Sequence, residues 1–413
     1  MLFTDLHTSP PPSRSVSRGL IRTASSSSLG CGPISPLPQT FPEVSAKHHL
    51  RPTRFSIDYS LPSSTESASA RLLSCSVDNT LLFTRGNRVY SKNLNNTLNE
   101  DFIQLCKLPD SRGSLRAIEC GGKSHPGVVA IGTSQGFIQT WDIRTRKMLM
   151  SWPTTKDISA LAWNGSVLTV GGAKGTIRLY DTRISPAEKM REQARKITRH
   201  QGRISCLSWN DDGKLLASGD SSGMVHCWES GQIVPMNVGE FVQRRKKIQH
   251  DGSISALAWS SWSSKLLATG DDKGCLRLWN VNPNDPSSNL ATPGKVDTSA
   301  RITGIHFSTQ CMEILTTHGN AVPIVDSAAN NSPSHKSPFA NSLAVHTASL
   351  RHVTTLNVPT DKPIGDSVLS ANGMKVVFTV PDEAKINICD AWAKRKELRR
   401  QASFTSDTSL YIR

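Results

Sequence analysis

The sequence predicts an all-β fold: a seven-bladed WD-repeat β-propeller with disordered N-terminal and C-terminal tails. Two recurring signatures carry this expectation, together with the tight turns that lie between them. The first is an inner strand of the form L-x-W: Leu161–Trp163, Leu207–Trp209 and Leu257–Trp259, with a weaker copy at Ile305–Phe307. Its aromatic residues are spaced by 46, 50 and 48. The second ends a strand with an aromatic residue and a polar or acidic one: Trp141-Asp142, Tyr180-Asp181, Trp228-Glu229 and Trp279-Asn280, spaced by 39, 48 and 51. A period of 40–50 residues of short strands is the mark of propeller blades, which bury their faces only against neighbouring blades.

Between the signatures run LLASGDSSGMVHCW (215–228) and LLATGDDKGCLRLW (266–279), each a strand, a tight turn and a strand. Gly223 and Gly274 stand where such turns demand a positive φ. In order along the chain, the blades are expected near 58–95, 114–146, 157–183, 203–230, 253–281, 301–345 and 364–392. The second to fifth carry the signatures outright, and the others follow from spacing. The sixth lacks a terminal Trp and is expected to end at Val325-Asp326, followed by a polar surface loop, SAANNSPSHKSPFANS. Residues 58–392 thus form the propeller. Residues 1–57, rich in Ser, Pro and Arg, are expected to be disordered, and 393–413 to form a basic tail.

Bulk properties fit this division. Hydrophobic residues make up 37% of the 413 residues, low for a chain that is compact throughout. The 48 Lys plus Arg against 33 Asp plus Glu give a net charge of +15, which favours acidic partners. Two basic clusters, Arg244–Lys247 and Lys394–Arg400, suit nuclear import, phosphate binding or a solvated face equally. The nine cysteines show no C-x-x-C pair, and Cys206, Cys227 and Cys275 fall on strands, so they read as reduced apolar residues. No apolar stretch is long enough for a membrane span and no secretory leader is evident, so a nuclear and cytoplasmic protein is expected.

Several chemical motifs fail on inspection. Gly219-Asp220-Ser221-Ser222-Gly223 matches G-x-S-x-G but lies in a hairpin turn, not at a strained strand-to-helix elbow. The twelve His, His48, His49 and His200 among them, include no metal-binding pair of the H-E-x-x-H kind. Asp211-Asp212-Gly213 lacks the other ligands of a calcium loop, and Gly171–Thr176 lacks phosphate-loop spacing. No metal, cofactor, small molecule or catalytic residue is expected, and nucleic acid is a weak third possibility from charge alone. Ser-Pro pairs at Ser9, Ser35, Ser185, Ser332 and Ser337 are minimal sites for proline-directed kinases.

Three segments distinguish the chain from generic propellers. HDGSISALAWSSWSSKLLATG (250–270), with its second tryptophan Trp262, resembles the fifth blade of the Fizzy family, the WD-repeat activators of the anaphase-promoting complex. VDTSARITGIHFSTQCMEILTTHG (296–319) is similar to that family's sixth blade, and the chain ends at Ile412-Arg413. In the family, a terminal Ile-Arg docks into tetratricopeptide subunits of the ligase: the guanidinium and free carboxylate are paired and the isoleucine fills an apolar pocket.

The resemblance implies a substrate-recruiting adaptor, not an enzyme. It places destruction-box binding on Asp58, taken with Ile57-Asp58-Tyr59-Ser60 as the opening of the first blade, and on Asp382 and Glu383 of the last. Two carboxylates facing a groove between first and last blades would pair the Arg of an R-x-x-L peptide. There are departures. Pro363 stands where the family's KEN-box Arg belongs, and Asn320–Pro323 replaces its Asn-Gln pair. The nearest match to the family's C-box, Thr53–Ile57, lies beside the first blade and is expected to begin it. The alternative is a WD-repeat scaffold unconnected to ubiquitin, for which the terminal dipeptide is a coincidence.

Overall fold

The computed structural model describes residues 42–62, 70–96, 102–154, 157–242, 245–282, 294–323 and 337–394. Within them are seven antiparallel sheets whose innermost strands touch in succession and return to the start, closing a ring. Each blade has four strands, a to d from the axis outward, and blade four has a fifth, Glu240–Val242, beyond its strand d. The expected architecture is therefore the observed one. Gly223 and Gly274 adopt φ of 84° and 92° as their turns require.

Small residues at the ends of the b strands let the blades approach. A Cβ on Gly219 would lie 2.5 Å from Ile254 of the next blade, and one on Gly270 would lie 2.7 Å from Ile302. These Ser-Gly and Thr-Gly steps thus set the spacing at which Leu216, Leu267 and their neighbours pack between sheets.

The first and last blades depart from expectation. Arg51–Asp58 is strand d of blade seven, antiparallel to Lys385–Asp390, with Asp58 opposite Lys385 and Arg51 opposite Asp390. The propeller therefore begins before residue 58, and Thr53–Ile57 closes the last blade where it was expected to open the first. The opening strand of blade one is Ser74–Cys75. Ahead of the closing strand, Pro42–Val44 and Ala46–His49 form two short helical turns, where a disordered tail was expected. Val44, Ala46 and Leu50 pack against Leu315, Leu343, Val358 and Trp392, so burial of apolar side chains explains the order. The remainder of the expected tails, 1–41 and 395–413, lies outside the described residues.

Blade six also differs. Its b strand, Glu313–Ala321, pairs with a c strand at Ser342–Thr347, followed by a d strand at His352–Asn357. Along the sequence, the polar insert thus falls between the second and third strands of the blade and does not follow its end. Val325-Asp326, expected to end the blade, lies outside the described residues. His346, opposite Ile314, occupies the place that Trp279, opposite Leu267, holds in blade five.

Candidate functional site

Strand d of blade seven and the turn between its b and c strands position the three acids singled out from the sequence. Pro381–Glu383 is a short helical turn that Ala384 ends in a left-handed conformation, φ 53°. The Tyr59 amide donates to the Ala384 carbonyl at 2.9 Å, which draws the end of the closing strand onto this turn. Asp58, Asp382 and Glu383 are thereby gathered at one end of blade seven. Asp58 does not belong to blade one, whose opening strand, Ser74–Cys75, carries no acid. The expected arrangement, one carboxylate from each of the first and last blades, is corrected accordingly.

Asp58 and Asp382 are exposed, whereas Glu383 is half-buried. Its Oε1 is buried without a hydrogen-bond partner among the described residues. A buried carboxylate oxygen left in that state favours a cationic partner. Glu383 lines a cleft of about 190 Å³ whose walls include Leu343, Leu356 and Val358 of blade six with Phe378 and Lys385 of blade seven. This cleft lies at the junction of blades six and seven.

The seam between blades seven and one is packed with Ile57, Leu73, Leu81, Phe83, Val377 and Ile386. Beside it stands a cation, Arg85, which donates from Nε to the Asp58 carbonyl at 2.8 Å. Its guanidinium lies 4.9 Å from the Phe102 ring centroid and 5.3 Å from that of Tyr90. Tyr59, buried beside Asp382, has its phenol pushed up to about 12, mainly by burial. The sequence reading missed Arg85 because nothing local joins residues 85 and 58; the signal was the Arg-Gly-Asn turn between two strands.

A second polar group links the ring internally. Arg71, in the segment that enters blade one, donates from Nη2 to Cys206 Sγ at 3.0 Å in blade four and to the Ser255 carbonyl at 2.5 Å in blade five. Burial pushes Glu119 up to about 8, with Arg71 opposing the shift.

The motifs set aside from sequence have structural roles. Asp220, inside the G-x-S-x-G match, accepts from the Ser222 and Met224 amides and from His200 Nδ1 at 2.7 Å. His200 Nε2 lies 2.7 Å from Ser218 Oγ, to which Trp228 Nε1 donates at 2.8 Å. Burial alone would raise Asp220, yet the hydrogen bonds from His200 and Ser222 hold it down at about 2. Blade five repeats the arrangement with His250, Asp271, Thr269 and Trp279. His250, Asp271 and Cys275 are the one group among the described residues with metal-ligand spacing. Both His250 nitrogens already face protein partners, which identifies this as a hydrogen-bonded brace. Ile412 and Arg413, the expected docking tail, lie outside the described residues.

Together, the repeated His–Asp–Ser/Thr–Trp brace and the ring define the class, a WD-repeat β-propeller. Residues 124–240 match the family model described as Vps8 beta-propeller, and 242–280 match that of the WD domain, G-beta repeat. Within the class, the chain is similar to the Fizzy-type proteins. It is 26% identical over 292 residues to "Cell division cycle 20.1, cofactor of APC complex" of Arabidopsis thaliana, covering 68% of this chain and 58% of that one. It is 28% identical over 252 residues to Protein FIZZY-RELATED 1 of the same plant, covering 60% and 48%. With WD repeat-containing protein slp1 of Schizosaccharomyces pombe it shares 28% over 201 residues, covering 48% and 37%. The chain thus spans about half the length of the curated relatives it matches. Among solved structures, a chain of the "Crystal Structure of Mitotic Checkpoint Complex" superposes with a TM-score of 0.66 at 21% identity, covering 83% of this chain and 95% of that chain, a likeness of fold.

Proposed function

We propose that this protein is a non-catalytic adaptor of the anaphase-promoting complex, working in nucleus and cytoplasm, that recruits destruction-box substrates to the ligase. The observation that carries the reading is the match to proteins named as cofactors of that complex, found in a chain with the same propeller fold. Ile412 and Arg413 would tether it to tetratricopeptide subunits, and the propeller would hold the substrate. Tethering raises the substrate's local concentration at the ligase without any bond being made or broken by the propeller.

For the degron, the acids of blade seven are the proposed site. Glu383 offers an unpaired, buried carboxylate oxygen beside apolar Leu343, Leu356 and Val358, which suits the cation and the leucine of an R-x-x-L peptide. Asp58 and Asp382 add negative charge at the same end of the blade. Their expected separation across two blades no longer supports the geometry; the charge of Glu383 does.

Deleting Ile412 and Arg413 should reduce capture of the ligase from dividing cells at least tenfold, while a scaffold unrelated to ubiquitin would be indifferent to the loss. Replacing Glu383 by Lys should weaken an R-x-x-L peptide by about tenfold or more in an anisotropy titration, since a charge-assisted pair becomes a repulsive one. Unchanged peptide affinity would remove Glu383 from the site and leave the tether untouched.

A further inference from the structure

Glu313 opens strand b of blade six, is 4% exposed, and accepts three hydrogen bonds from two distant parts of the chain. Ser45 Oγ donates to Oε1 at 2.5 Å, and the Ala46 amide donates to Oε2 at 2.9 Å. Trp392 Nε1 donates to the same Oε2 at 2.8 Å. Ala46 precedes the closing strand Arg51–Asp58, and Trp392 follows the strand it pairs with, Lys385–Asp390. The two described ends of the chain therefore meet on one carboxylate.

We infer that Glu313 is a positioning residue for both chain ends, a clasp that ties the segment Pro42–Leu50 and Trp392 to blade six and so holds the closing strand in blade seven. Three features of the site argue for it. A buried carboxylate is costly unless it is saturated with donors, and here a hydroxyl, an amide and an indole supply them. The donors come from segments more than 300 residues apart, so only the closed ring assembles them. The apolar residues around the clasp, Val44, Ala46, Leu343, Val358, Ile364 and Trp392, belong to one buried cluster that joins the segment to blades six and seven. Release of either end thus removes a donor from the carboxylate that holds the other.

The surface ion pair between the closing strand and its neighbour is much weaker. Arg51 Nε and Asp390 Oδ2 are 3.9 Å apart, and the Arg51 side chain is 71% exposed. The clasp does not depend on which partner the protein serves.

Hydrogen exchange of the full-length chain tests the inference through variants that remove one donor each. Ser45→Ala should speed exchange at least threefold in residues 388–393 as well as in 43–50. Trp392→Phe, which keeps the ring packing, should do so in 43–50 as well as in 388–393. Glu313→Ala should speed both segments about tenfold together, and Glu313→Gln should fall between, because its amide oxygen still accepts. Leu315→Ala, a cavity in the same strand, is the control and should raise exchange across blade six without singling out the ends. If Ser45→Ala and Trp392→Phe each disturb only their own segment, the clasp does not couple the ends and the inference fails. Those two variants keep the inference open to disproof should Glu313→Ala not fold.

Discussion

Blades five and six use the same positions for opposite purposes. In blade five, His250, Asp271, Thr269 and Trp279 form a closed chain of hydrogen bonds from the interblade loop to the third strand. Burial alone would raise Asp271, but the bonds from His250 and from the Lys273 and Cys275 amides hold it below the usual carboxylate range. In blade six the strand register sets His318 opposite Ile302, where blade five sets Asp271 opposite Ile254. Thr316 stands at the Thr269 position and His346 at the Trp279 position. His318 Nε2 lies 2.8 Å from Thr316 Oγ1, but both nitrogens of His346 are buried without a hydrogen-bond partner among the described residues. His346 instead packs on Phe339 and His352, with ring centroids 5.9 Å away in each case. The lesson is that a blade holds its shape by packing between neighbours, and the polar brace is an addition that blade six lacks.

That contrast can be broken most directly in blade five. Asp271→Ala should destabilise the propeller by about 3–5 kcal/mol, because it leaves His250 and two amides without their buried partner. His346→Phe in blade six should stay within about 1 kcal/mol at pH 7.5, since no hydrogen bond is lost. Denaturant midpoints of the two variants check both values, and equal losses would mean that blade six has a brace of its own.

A pH series sharpens the comparison. Burial pushes His346 down to about 4 and His318 to about 3, and lowers His226 and His306 to about 4. These values lie below the ordinary value near 6.5, so beneath that pH the unfolded chain binds more protons than the folded one. Stability present above pH 6.5 should therefore drain away as the pH falls towards 4. His346→Phe removes one of these groups and should exceed the parent by on the order of 2 kcal/mol at pH 4.5. Glu119 works in the other direction: its raised value costs stability as pH climbs from 4.5 to 8. An acid limb unaltered by His346→Phe would place the titrating groups elsewhere.

The smallest expected effect separates a brace from a metal site in blade five. Zinc added to the protein, or a chelator in its place, should move the melting temperature by less than about 1 °C, because a ligand that does not bind the folded state cannot stabilise it. A rise that disappears with Cys275→Ala would make His250, Asp271 and Cys275 ligands.

The middle blades were legible in the sequence because each carries its own aromatic signatures, and the residues that define a blade lie within about 50 positions of one another. The closing strand was not. Thr53 donates from Oγ1 to the Ile388 carbonyl at 2.8 Å across 335 positions, and nothing in Arg51–Asp58 announces such a partner. Asp58 therefore belongs to blade seven and not to blade one, at the same end as Asp382 and Glu383. The c strand of blade six was hidden differently: a polar insert separates it from its b strand, and His346 replaces the tryptophan that would have marked it. Glu313 carries no local signal, and the Arg-Gly-Asn turn marks Arg85 without naming its partner, because both roles depend on residues that only the closed ring brings near.

The closing strand also dictates a timetable for biosynthesis. Arg51–Asp58 leaves the ribosome before every other strand of the ring, but its pairing partner, Lys385–Asp390, is more than 300 residues behind. At roughly 5–20 residues per second, the nascent chain waits on the order of tens of seconds with this strand unpaired. Six blades can stack in that time and still form an open arc, so the circle closes only once Lys385–Asp390 has emerged.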